Sequence, residues 1–123
     1  MSYTKKNWHK KWTDAKKKAK LKDSLFKQRL GPNLDDLEAL HAKLVLANAK
    51  TFPALWKKEG QLSVKIFNTL KAYRPIVAAN VADERLKTQV LQVLGDIDSK
   101  GLFPMRAERD ALHHARGLDR DDF

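Results

Sequence analysis

Asp110 and His114 stand one helical turn apart near the C-terminal end of the chain, with Glu108 close by. Side chains at i and i+4 meet on one helix face, so this pair could act as acid and base on a phosphodiester. The plainer assignment is a surface ion pair near a helix C-terminus, where cations are favoured. His113 and His114 are adjacent, hence about 100° apart on a helix, and poorly placed to share one metal ion. The run Asp96-Ile97-Asp98-Ser99-Lys100-Gly101 has the opening of a calcium loop. The position that needs an oxygen ligand is Lys100, and the one that needs a bidentate glutamate is Ala107, so a polar turn is the reading. Cysteine is absent altogether, which excludes thiolate chemistry and disulfides. With no glycine-rich phosphate loop and no nucleophile motif either, the chain is read as non-enzymatic, without metal or cofactor. A small metal-independent nuclease using Asp110 and His114 remains an alternative.

The stronger chemical signal is charge. Eleven of the 25 Lys and Arg residues lie in the first 30 of 123 positions, with only Asp14 and Asp23 against them, which gives that segment +9 of the formal +10. These are Lys5, Lys6, Lys10, Lys11, Lys16, Lys17, Lys18, Lys20, Lys22, Lys27 and Arg29. Such a block repels itself, so an anionic partner is the expectation, and nucleic acid is the commonest one. Each phosphate neutralised releases counterions, giving affinity without sequence selectivity. Ten lysines to one arginine argue against bidentate reading of base edges. Trp8, Trp12 and Tyr3 could stack on unpaired bases, or could instead dock the segment on the protein's own body. Docking is favoured, because Ala15 and Ala19 continue the same stripe and are too small to stack. The stripe is only about 60° wide, whereas a helix lying in a membrane surface needs a broad apolar face; a membrane partner is therefore disfavoured.

These side chains need helices to position them. Apolar residues recur at helical rather than alternating spacing throughout. The expected fold is all-α, a compact bundle of about five to six short helices with a long lysine-rich N-terminal helix. That helix is predicted over Tyr3 to Leu30, stopped by Gly31-Pro32. Asn33 should cap a second helix, with Leu37, Leu40 and Leu44 inward. Thr51-Phe52-Pro53 should break it and start a short turn closed by Gly60. Ser63 should cap a further helix that Pro75 interrupts, and Asp83 another, running past Leu94. Residues 98–101 read as a loop, and the last helix as Pro104 to Arg116. The chain divides into a basic extension (1–30), a helical body (31–117) expected to fold without it, and an acidic tail (118–123). Absence of cysteine and of an apolar leader-like segment suits a cytoplasmic setting.

The stretch from Phe52-Pro53 through Glu59-Gly60 to Leu62-Ser-Val-Lys-Ile-Phe67, with Lys87-Thr-Gln-Val-Leu91, resembles the central part of FinO/ProQ-type RNA-chaperone domains. The resemblance implies a helical domain that recognises structured RNA, with contacts near Lys65 and Lys87. It is also what tips the expected ligand from DNA towards RNA, together with the aromatics of the first segment. The expected function is thus nucleic-acid binding by backbone contacts. The alternative is a small helical structural subunit of a larger ribonucleoprotein or protein assembly, with a protein as partner.

Overall fold

The computed structural model describes residues 7–117. Within them the fold is all-α: α1 (Trp8–Lys18), a 3₁₀ turn (Asp23–Leu25), α2 (Leu30–Leu46), α3 (Phe52–Asn80), α4 (Glu84–Asp96), a π-helical segment (Ile97–Leu102) and α5 (Phe103–Ala115). Because the π-helical segment joins α4 to α5 without a loop, the described residues form four helical rods, not five to six short helices. α1 packs on α2 and α4, while α3 packs on α2, α4 and α5. No helix among the described residues is long and apolar enough to cross a membrane.

The long N-terminal helix is not there. α1 ends at Lys18 because Lys20 turns into the left-handed region, with φ of 58°. Its neighbours then close the helix end: the Leu21 amide donates to the Lys16 carbonyl at 2.9 Å and the Lys20 amide to the Lys17 carbonyl at 3.1 Å. This is the cap a glycine normally makes. Leu21 is buried, which holds the turn in place and offsets the strain at Lys20. Nor does Gly31-Pro32 stop a helix; both lie in the first turn of α2. Proline is tolerated there because first-turn amides have no helical partner to lose. Gly31 is required for a different reason, since the His9 ring lies where its Cβ would be.

α3 is a single helix of 29 residues where two were expected. Gly60 is an interior position against which the Arg109 guanidinium packs. Ser63 is not a cap but the next turn of a buried stripe, Glu59, Ser63, Ile66, Leu70, Tyr73 and Val77. Pro75 is exposed, so the Lys71 carbonyl that its ring deprives of a donor faces water. Asp83 does cap α4, its carboxylate accepting from the Leu86 amide at 2.9 Å. Across the bundle, the Arg116 guanidinium donates to the Ala47 carbonyl, and to that of Val45 at 3.3 Å, at the open C-terminal end of α2.

The core takes residues from every rod. Trp8, Trp12, Leu21 and Leu30 belong to the same apolar cluster as Ile66, Leu70, Leu94 and Met105. Residues 8–30 therefore contribute to the packing of the rest.

Candidate nucleic-acid interface

α1 is short, and its two faces differ in every property. Asn7 starts it by accepting from the Lys10 amide at 2.9 Å. Trp8 and Trp12 follow one turn apart, and both point inward, 3% and 2% exposed. The Trp12 ring packs edge-on against Phe26 at 5.5 Å and tilted against Tyr73 at 5.4 Å, while Phe26 and Tyr73 lie 4.5 Å apart. Gly101 lets the Trp8 indole approach, its Nε1 standing 3.0 Å from where a Cβ would be. Tyr73 also anchors the connecting chain, its hydroxyl donating to the Gln28 carbonyl, beside a Thr69-to-Gln28 side-chain bond of 2.6 Å. Burial raises the phenol of Tyr73 above its ordinary value, opposed by a backbone hydrogen bond at Leu30 and reinforced by Asp23. It stays a protonated donor.

With the indoles turned inward, neither Trp8 nor Trp12 offers a ring face to a base. Both hold α1 on the bundle, and most of the lysines around them face out. Lys10, Lys11, Lys17, Lys18, Lys20, Lys22, Lys27 and Arg29 are all exposed. Lys11 also lies over the outer face of Trp8, 5.2 Å from the ring centre. Lys16 is the exception, half-buried over Trp12 and paired with Asp23 at 2.6 Å. That hydrogen bond and charge hold the Asp23 carboxyl below its usual range. Tyr3, Lys5 and Lys6 lie outside the described residues.

Two grooves border this surface. One, of about 340 Å³, runs between α1 and α4 past Trp8, Lys11, Lys18, Leu86 and Val90. The other, of about 420 Å³, lies between the end of the α1–α2 connection and the first turn of α2, lined by Lys16, Lys27, Arg29 and Tyr73. The first sets Lys11 and Lys18 beside Asp14 and Asp96, whereas the second, with Asp23 as its one acid, is more cationic and more polar.

The acid–base pair expected on α5 is not assembled. The Asp110 carboxylate accepts from the Arg109 guanidinium at 3.1 Å, and His114 is exposed. His113 is the buried one, stacked on Trp56 at 4.8 Å and near Phe52 at 6.2 Å. The Phe52–Trp56 corner thus anchors α5, with Arg109 over Trp56 at 4.9 Å and Arg116 over Phe52 at 4.6 Å. Asp96 accepts from the Gln92 amide at 2.8 Å and faces Lys100 at 3.6 Å, and no calcium-loop geometry follows it. Among the described residues, no three His, Asp or Glu side chains are grouped to hold a metal ion.

A buried polar cluster centred on His41 escaped the sequence reading. Its Nδ1 lies 2.8 Å from Glu59 Oε2 and its Nε2 lies 3.1 Å from Glu108 Oε2, joining α2, α3 and α5. Burial opposes charge on this imidazole, but hydrogen bonds and charge from Glu59 and then Glu108 outweigh it, so its pKa is raised above 6.5. Both ring nitrogens then donate. Glu59 is fully buried, and its other oxygen, Oε1, has no hydrogen-bond partner among the described residues. The i, i+4 spacing of Glu59 and Ser63 ahead of Ile66 was the available signal, since it places a carboxylate on the core face of α3.

No family model, curated protein or solved structure matches the chain. Residues 52–67 lie on α3, with Lys65 exposed, while Lys87 on α4 is half-buried and bonded to Glu84 at 3.0 Å.

Proposed function

We propose that this protein binds nucleic acid without acting on it chemically, through backbone phosphates held by the outward lysines of residues 10–29. The observation that carries the reading is the division of α1 and its following turns: aromatics sealed in the core, and eight exposed cations outside. A binding surface made of lysines on a rigid, anchored helix favours a regularly spaced polyanion. Because Trp8 and Trp12 are turned inward, the described part of this segment offers no exposed indole for stacking, so a duplex or structured strand fits better than an unpaired one. RNA is favoured over DNA on the FinO/ProQ resemblance. Affinity would come mainly from counterion release, and selectivity from ligand shape.

The test is replacement of Lys10, Lys11, Lys17 and Lys18 with Gln, singly and together, measured on duplex RNA and DNA of several sequences. Each replacement that removes a phosphate contact should flatten the log–log salt dependence by roughly one and weaken every sequence alike. Sequence-dependent losses, or no loss in the quadruple variant, would reject the reading.

A further inference from the structure

We propose that the outer face of α3 is a second cationic binding surface, shaped for the phosphate backbone of a nucleic-acid duplex. The sequence conceals it, because residues 31–123 sum to a net charge of only +1. Folding separates that balance. α3 carries Lys57, Lys58, Lys65, Lys71 and Arg74, all exposed, and its one acid, Glu59, is buried against His41. No acid of α3 reaches its solvent face. At 100° per residue the five cations cover an arc of about 200°, and from Lys57 to Arg74 they extend along about 25 Å of helix.

The contrast with the α4–α5 rod shows that this is a particular arrangement. There three of the five Lys and Arg side chains have acids beside them: Lys87 with Glu84 at 3.0 Å, Lys100 with Asp96 at 3.6 Å and Arg109 with Asp110 at 3.1 Å. On α3, Lys71 and Arg74 are like charges one turn apart, an arrangement that destabilises a helix on its own. A ligand with charges repeated along its length would neutralise the whole face; the mixed charges of a typical protein surface would not. The face also carries Val64, 54% exposed, and Phe67, 37% exposed. Gln61 and Asn68 flank them, and Lys71 lies over the Phe67 ring at 5.6 Å. That apolar strip is too narrow and interrupted for a helix lying in a membrane, which needs a continuous apolar face. Gln28, between Lys27 and Arg29, is bonded to Thr69 on this same helix, so the basic connection before α2 runs alongside the proposed surface.

The inference shares only its ligand class with the proposed function, and the experiment separates the two. The full-length protein, a Lys57→Gln/Lys58→Gln/Lys71→Gln variant and the Lys10→Gln/Lys11→Gln/Lys17→Gln/Lys18→Gln variant are titrated with labelled 30-base-pair RNA and DNA across a salt series. The α3 variant should flatten the salt dependence by about two to three and lose at least about tenfold in affinity at low salt, with its melting curve unchanged. The matching Lys→Arg triple variant should restore binding, which a packing effect would not allow. If the α3 variant binds as the wild type while the α1 variant is impaired, the inference fails and the proposed function stands. If only the α3 variant is impaired, the inference stands and the lysines of α1 lose their role. If the wild type binds neither duplex, or if α3-dependent binding appears only with phosphatidylserine vesicles, the inference is overturned.

Discussion

Two regions of this molecule handle charge in opposite ways. Around α1, Trp8 and Trp12 fill the interior with aromatic surface, and the cations beside them are left at the periphery. Where α2, α3 and α5 meet, the interior itself is ionisable, and His41 lies between Glu59 and Glu108 with its charge compensated inside the protein. The same helix, α3, takes part in both: its inner face supplies Glu59 and Tyr73, and its outer face supplies five cations. The difference teaches that net charge along the sequence is a poor guide to surface charge. Burial removed an acid from one face and left its lysines without a counterweight.

The comparison breaks most visibly by removing the aromatic anchor. Trp12→Ala deletes a ring that touches Phe26 and Tyr73 in a fully buried site, and should cost about 3–5 kcal/mol in denaturant unfolding. Deleting residues 1–20 removes Trp8 as well, so the truncated chain should lose its cooperative transition. Retention of a sharp transition would show that α1 is dispensable to the core. In the polar region the loss has another origin. His41→Leu orphans two carboxylates and should cost about 3 kcal/mol, but adding Glu59→Leu should recover part of it, because much of the cost is the uncompensated charge. A purely packing role predicts the two losses to add.

A pH series sharpens the same contrast. The folded-state pKa of His41 lies above its unfolded value of 6.5, so the protonated form is favoured by folding. Its contribution is complete below the unfolded value and fades as pH rises through the raised folded value. The melting temperature of the wild type should therefore fall as pH rises above 6.5, and the slope should vanish in His41→Gln. A slope that survives the replacement would assign it to other groups.

The smallest effect concerns Lys20, strained at a left-handed position that caps α1. Lys20→Gly should gain about 1 kcal/mol in thermal unfolding despite removing a side chain. A loss would mean that its ammonium contributes more than its backbone costs.

That residue also marks where the sequence stops being legible. The all-α class, the Asp83 cap and the inward Trp/Ala stripe follow from local spacing and capping chemistry, which are properties of neighbouring residues. The end of α1 does not, because a lysine does the work of a glycine and only the burial of Leu21 selects that geometry. Gly60, Ser63 and Pro75 look like breaks, yet α3 runs through all three. Arg109 packs on the first, the second continues a core stripe, and the third faces water. The His41 cluster joins positions 18 and 67 residues apart, a distance over which periodicity carries no information.

The central claim is that exposed lysines, held on a body anchored by buried indoles, grip a phosphate backbone. Its most direct test is the equilibrium binding of the intact protein to a single RNA duplex from low to physiological salt. Engagement of about four to six phosphates by the N-terminal segment alone predicts a log–log slope of about −4 to −5, steeper if α3 joins in. A slope near zero with binding retained would contradict the account, because the affinity would then come from a pocket or from stacking.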